Sequence, residues 1–300
     1  MFSLKRIARF AIPALTLCIV APGHAQSQGA AHTPAPLQVQ VYNADGHSFH
    51  VNAVVVSGKS EAVVIDTGFT RADALRVAAN VLDSGKTLTT IFISNADPDF
   101  YFGAEVLKAH FPQARVLTTP AVREKIQARM AAKMAFWGPK MGANGPRQPI
   151  VPELLQGTRL SVDGESVEVR GTSGELAHRP YVWIPSLRAV VGNIAIFGNL
   201  HVWTADTRTA SQRQAWFAQL DEIEALQPAL VVPGHMAPGT ALDASAIAYT
   251  RTYLQRFDAE AAKASNAAEL IAAMQQAYPR AGLGVALEIG AKVNKGEMHW

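Results

Sequence analysis

Apolar and polar residues alternate over residues 37–42, as a half-buried strand requires. Two β-branched runs, 50–57 and 61–65, flank Gly58 and predict a hairpin, closed by Asp66-Thr67-Gly68. Ala74, Leu75, Ala78 and Leu82 then share one face at helical spacing, which predicts a helix over 72–82. A strand follows at 87–94, a helix at 104–111, a short strand at 116–118 and a helix at 121–136. Residues 137–152 hold three Gly and four Pro and predict a long loop, the kind that borders an active site. Beyond it the pattern repeats in type. Strands are predicted at 160–162, 166–170, 181–184 and 189–191, then a helix at 211–226 and a strand at 229–232 that runs into Pro233-Gly234-His235. Two helices, 244–263 and 267–278, finish the chain. Strand-rich halves that each trail helices predict an α/β fold with two sheets face to face and helices outside.

Composition changes the picture at the N-terminus. Lys5, Arg6 and Arg9 precede an apolar stretch over 10–20, and Pro22-Gly23-His24-Ala25 offers small residues before a cleavage point. Residues 1–25 therefore predict an export signal, cut after Ala25, and a periplasmic location. Residues 26–36 predict a disordered lead-in and 37–300 one domain. The apolar run is short for a membrane span, and no other stretch approaches the roughly eighteen apolar residues a span needs. Removing three of the 27 basic residues leaves 24 against 24 acidic ones. A formally neutral chain gives no support for a nucleic-acid or anionic-membrane partner. Cys18, the only cysteine, falls in the same signal, so the mature chain has no disulfide, thiolate ligand or Cys nucleophile. No Gly-rich nucleotide loop follows any strand.

The fragments at the strand ends carry a resemblance. Val51-Asn52-Ala53, the Asp66-Thr67-Gly68 turn, Asn95-Ala96-Asp97-Pro98-Asp99-Phe100, Gly103, Thr172-Ser173-Gly174-Glu175 with Pro185, Val191-Gly192-Asn193 and Pro233-Gly234-His235 occur in the order and spacing of the metallo-β-lactamase superfamily. The resemblance runs from Val51 to His235. It implies an αββα sandwich, two central mixed sheets flanked by helices, with a metal site at the strand ends.

At that site the sequence departs from the family. Only Asp99 and His235 match the usual metal-binding residues. Asn95 and Asp97 stand where the family has its first two histidines, Phe100 where it has the third, Glu175 the fourth, and Asn193 the bridging aspartate. Phe100 has no donor atom. Local sequence alone reads Asp97-Pro98-Asp99 as a helix cap; the family register instead aims both carboxylates into a cleft. There Asp97, Asp99, Glu175 and His235 would form a cage of three oxygens and one nitrogen for one divalent ion, Zn²⁺, Mn²⁺ or Fe²⁺. Asp66, Asn95 and Asn193 would support the ligands, and His201, Trp203 and Phe100 would face a small-molecule substrate. Trp137 would cover the pocket. Arg179 and Lys140 fit either an anionic substrate or the plain surface.

Two functions follow. The first is a metallo-hydrolase, with Asp99 as ligand or general base. The second is a catalytically inactive protein that uses the fold to bind a small molecule or a partner. Convergence of the four donors on one point would favour the first, and an outward-turned Glu175 or Asp97 the second. Substrate and oligomeric state are not encoded legibly.

Overall fold

A computed structural model describes residues 36–300. The proposed signal and all but the last residue of the lead-in lie outside that range. The first half opens on the strands β1 (Gln38–Asn43), β2 (Asn52–Ser57) and β3 (Glu61–Ile65), the helix α1 (Arg71–Ser84) and β4 (Thr87–Ile93). A one-turn helix α2 (Pro98–Tyr101), α3 (Ala104–His110), β5 (Arg115–Thr118), α4 (Pro120–Met141) and β6 (Glu153–Leu154) follow. The second half brings β7 (Arg159–Val162), β8 (Glu165–Arg170), β9 (Tyr181–Ile184), β10 (Ala189–Val191), β11 (Phe197–Gly198), α5 (Ala210–Ala225), β12 (Leu230–Val231) and β13 (His235–Met236). Helices α6 (Ser245–Lys263), α7 (Ala267–Ala277) and α8 (Gly284–Asn294) end it.

The strands form two mixed sheets, ordered β1-β2-β3-β4-β5-β6 and β12-β10-β9-β8-β7, with β11 and β13 paired alone. In the first sheet β1, β2 and β3 pair antiparallel while β3 to β6 run parallel. Alternation along β3 sets the layers. Val63 and Ile65 face the second sheet, packed with Val167, Val182 and Val191. Ala62 and Val64 face the opposite way, against Val77 and Val81 of α1 and Leu107 of α3. The second sheet turns Tyr181, Trp183 and Val190 toward Trp216 and Leu220 of α5 and Leu254 of α6. Each apolar face is thus covered, and the αββα sandwich implied by the resemblance is the fold observed.

Two expectations are corrected. The stretch 137–152 does not begin as a loop, since α4 continues through Trp137 to Met141 with Pro139 inside its last turns. Proline lacks one N–H there, and tertiary packing of Trp137 on Phe49 and Phe69, with ring centres 5.6 and 5.2 Å away, holds the helix nonetheless. The series also does not finish at residue 278. The added helix α8 was hidden by Gly284 and Gly290, both poor helix formers. Gly290 is needed because a β-carbon there would lie 2.4 Å from Thr204 Oγ1.

Candidate functional site

The site is built at one end of the sheets by two turns. In the first, Asp66 follows β3 with φ 61°, a left-handed conformation that Asp tolerates better than most residues. Its carboxylate accepts from Ser94 N at 2.8 Å and Ser94 Oγ at 2.7 Å, tying the ends of β3 and β4 together. Thr67 then donates from both its amide and its hydroxyl to the Phe100 carbonyl, at 2.9 and 3.0 Å. The Asp66-Thr67 pair thereby positions the segment that carries Asp97, Asp99 and Phe100. Within that segment the Asn95 side chain accepts from Asp97 N at 2.8 Å. Asp97 stands at the N-cap of α2 but makes no side-chain cap bond, so capping does not account for it.

In the second turn, Pro233-Gly234 is stapled from both sides. Asn52 donates its side-chain amide to Pro233 O at 2.7 Å and its backbone N–H to Gly234 O at 2.9 Å. Asn193 donates to Val232 O at 3.1 Å and accepts from Ile196 N at 2.9 Å. His235 leaves this turn buried, stacked on Phe197 at 5.2 Å and edge-on to Phe100 at 5.4 Å. Its Nδ1 lies 2.9 Å from Phe49 O, so Nδ1 carries the hydrogen. Phe49 and His50 present that carbonyl from left-handed backbone, φ 58° and 55°, unusual for bulky side chains. Burial pushes the His235 imidazole down to about 4 and holds it neutral. Its Nε2 faces Asp99 Oδ2 at 3.5 Å.

Asp97, Asp99 and His235 line one cleft of about 630 Å³, open volume included. The rest of its wall is almost wholly apolar. Phe49, Phe69, Trp137, Phe197 and Trp203 contribute aromatic faces, while Leu283, Val285, Ala286, Ile289 and Trp300 close it from the C-terminal segment. Trp300 meets Trp203 edge-on at 4.8 Å, and Lys133 Nζ lies 4.8 Å over the Trp300 ring. Burial raises both Asp97 and Asp99 to about 7. At Asp97 the rise includes repulsion from Asp206 and is partly offset by Lys133, 3.8 Å away.

The superfamily implies a metal here, and the residues present do not fit one as they stand. Glu175 is exposed to solvent on the loop after β8, away from the cleft. Among the described residues no three His, Cys, Asp or Glu side chains gather so as to hold a metal ion. His235 directs its free nitrogen at Asp99, Phe100 fills the space beneath it, and Lys133 already supplies positive charge to the carboxylates. Of the residues read from the sequence, Asp97, Asp99, His235, Trp137 and Trp203 meet in the cleft, and buried Phe100 packs under His235. Asp66, Asn95 and Asn193 support the turns. His201 is buried instead against Tyr253, its Nδ1 2.9 Å from the Tyr253 hydroxyl, and does not line the cleft. Lys133, Phe197 and the α8 residues were missed. Lys133 is one charge among many along α4 and carries no motif.

Asp66 makes a testable pH contribution. Burial pushes its carboxyl up to about 7, so between the ordinary value and 7 the folded chain holds a proton that the unfolded chain has lost. Stability from this group is full below about pH 4 and is lost as pH rises through 7. Chemical denaturation of the wild type at pH 5 and pH 8 should therefore differ, and Asp66→Asn should shrink the difference by on the order of 2 kcal/mol. An unchanged difference would show that Asp66 is already ionised in the fold.

Comparison with known proteins agrees with this fold. Residues 48–235 match the family model for the Metallo-beta-lactamase superfamily, and the chain belongs to that superfamily. A metallo-beta-lactamase family protein from Thermus thermophilus superposes with TM-score 0.60 at 17% identity, over 87% of this chain and 92% of its own. The metallo-beta-lactamase from Pontibacter korlensis gives 0.53 at 17%, over 73% and 95%. The inverting sec-alkylsulfatase Pisa1 from a Pseudomonas species gives 0.56 at 18%, over 86% of this chain and 50% of its own. Likeness at such identity shows the fold. No curated protein sequence matches the chain. Among the described residues no helix is long and apolar enough to cross a membrane.

Proposed function

We propose that this chain is an exported, periplasmic member of the superfamily that binds a small organic molecule with a largely apolar body. The observation that carries this reading is the cleft wall, which is aromatic and aliphatic except for one patch of Asp97, Asp99, Lys133 and His235. An apolar pocket with a few convergent polar groups is the usual form of a small-molecule site. The basic and then apolar opening of the sequence supports export.

A neutral fluorescent probe, N-phenyl-1-naphthylamine, should bind saturably to the purified protein. Val285→Asp, at a 42% exposed position of the cleft wall, should weaken it about tenfold, because it sets a charge against the apolar body. Binding that is absent, or indifferent to Val285→Asp, would remove this reading.

A second reading, a hydrolase with one divalent ion, would need Asp97, Asp99 and His235, which line the same cleft without converging, to close on the ion. Metal analysis after loading with Zn²⁺, Mn²⁺ or Fe²⁺ separates the two. Stoichiometric metal that is lost in His235→Ala and Asp99→Ala supports the hydrolase, and no bound metal supports the binding protein.

A further inference from the structure

Asp97 and Ile194 also border a second cavity, of about 350 Å³ with open volume included, whose chemistry is unlike that of the cleft. Its wall carries Lys125 and Arg129 from α4, His178 and Arg179 from the loop before β9, and the carboxylates of Asp97 and Asp206. Arg179, which the sequence leaves open as an anion contact or a surface residue, is only 2% exposed. The Trp216 ring lies 4.1 Å from its guanidinium, and its Nη2 donates to Ile194 O at 3.0 Å. Its Nε and Nη1 are buried and have no partner, and neither has His178 Nε2.

Buried N–H groups are ordinarily matched to acceptors, so two orphaned nitrogens on one charged side chain call for an acceptor in the cavity. The carboxylates present are engaged elsewhere. Asp206 accepts from Trp203 Nε1 at 2.8 Å and lies 3.9 Å from Arg129, while Asp97 faces Lys133 at 3.8 Å. Lys125 and Arg179 have no carboxylate at ion-pair distance among the described residues. Lys125, Arg129 and Arg179 stand against two carboxylates on this wall, one of which already faces Lys133 from the cleft side, so the balance is positive and suits an anion.

We propose that this second cavity binds one oxyanion group, of carboxylate or sulfate size, with Arg179 as its buried anchor and Lys125 and Arg129 at its rim. The group is either a free small anion or the acidic end of a larger molecule.

Calorimetric titration of the full protein with sodium acetate and sodium sulfate, at constant ionic strength in chloride, should show saturable binding of at least one of them. Lys125→Gln/Arg129→Gln, on the half-exposed side of α4, should raise its Kd about tenfold or more. Lys140→Gln/Arg147→Gln removes the same charge elsewhere and should leave it unchanged. Arg179→Lys keeps the charge but loses the planar fork, and should weaken binding as well. Octanoate distinguishes the sources. Binding much tighter than acetate, with release of N-phenyl-1-naphthylamine, assigns the anion to an amphiphile that reaches both cavities. Equal affinity assigns it to a free anion. No saturable binding of acetate or sulfate, or equal loss in both double variants, overturns the proposal. Probe binding is read separately, so failure here is distinct from failure of the apolar cleft.

Discussion

Trp216→Ala is expected to be the most damaging single change outside the two cavities. The indole is fully buried between α5 and the second sheet and donates from Nε1 to Ala195 O at 2.9 Å. Truncation removes its packing and leaves a cavity the surrounding sheet cannot collapse to fill, a cost of roughly 3 to 5 kcal/mol. It also uncovers the Arg179 guanidinium, which loses the ring 4.1 Å away and keeps a single hydrogen bond. Thermal unfolding should therefore fall by on the order of 10 °C. Any residual folded protein should bind acetate or sulfate more weakly. A shift of only a degree or two would mean that the indole is replaceable.

Gly234→Ala should come next. A β-carbon at this position would sit 1.9 Å from the Asn193 carbonyl oxygen and 3.0 Å from its carbon, both backbone atoms that cannot swing aside. The turn is pinned by Asn52 and Asn193, so relief requires moving the strand ends themselves. A loss of roughly 3 kcal/mol is expected, at the upper end of the usual overpacking range. Because His235 is the next residue, binding of N-phenyl-1-naphthylamine should weaken too. Gly284→Ala, at the start of α8 with nothing within 4 Å of the added carbon, is the control and should change the unfolding free energy in urea by less than about 1 kcal/mol. Equal behaviour of the two variants would show that the turn yields.

Much of the frame was legible because it depends on local chemistry. Strand alternation at 37–42, the β-branched run at 61–65 and the existence of α1 each follow from short-range pattern. Leu75 and Leu82, however, read onto the inner face of α1, are 48% and 64% exposed, and Val77 and Val81 are buried instead. The placing of Asp99 and His235 in one cleft came from the family register. The two residues do meet. Glu175 was misplaced because register along a strand says where a loop begins and not which way its side chains turn. The sequence left Arg179 open between an anion contact and the plain surface, because its burial depends on Trp216, distant in sequence, and on no local signal. Helix α8 closes the cleft through Val285, Ala286 and Ile289, yet its two glycines argue against any helix. Pro139 hid the end of α4 in the same way. In both cases tertiary packing overrode a local preference of about 1 to 3 kcal/mol.

Asp97 borders both cavities, with Lys133 on the cleft side and Arg179 and Asp206 bearing on it from the other. One carboxylate facing two chambers would link an anion in the second cavity to a ligand in the cleft. An anion beside Arg179 repels Asp97 and favours its protonated form, which alters the charge met by whatever enters the cleft. Each occupant must then change the affinity of the other by the same factor. With both chambers occupied, the wall between them would act as a coupling element through Asp97.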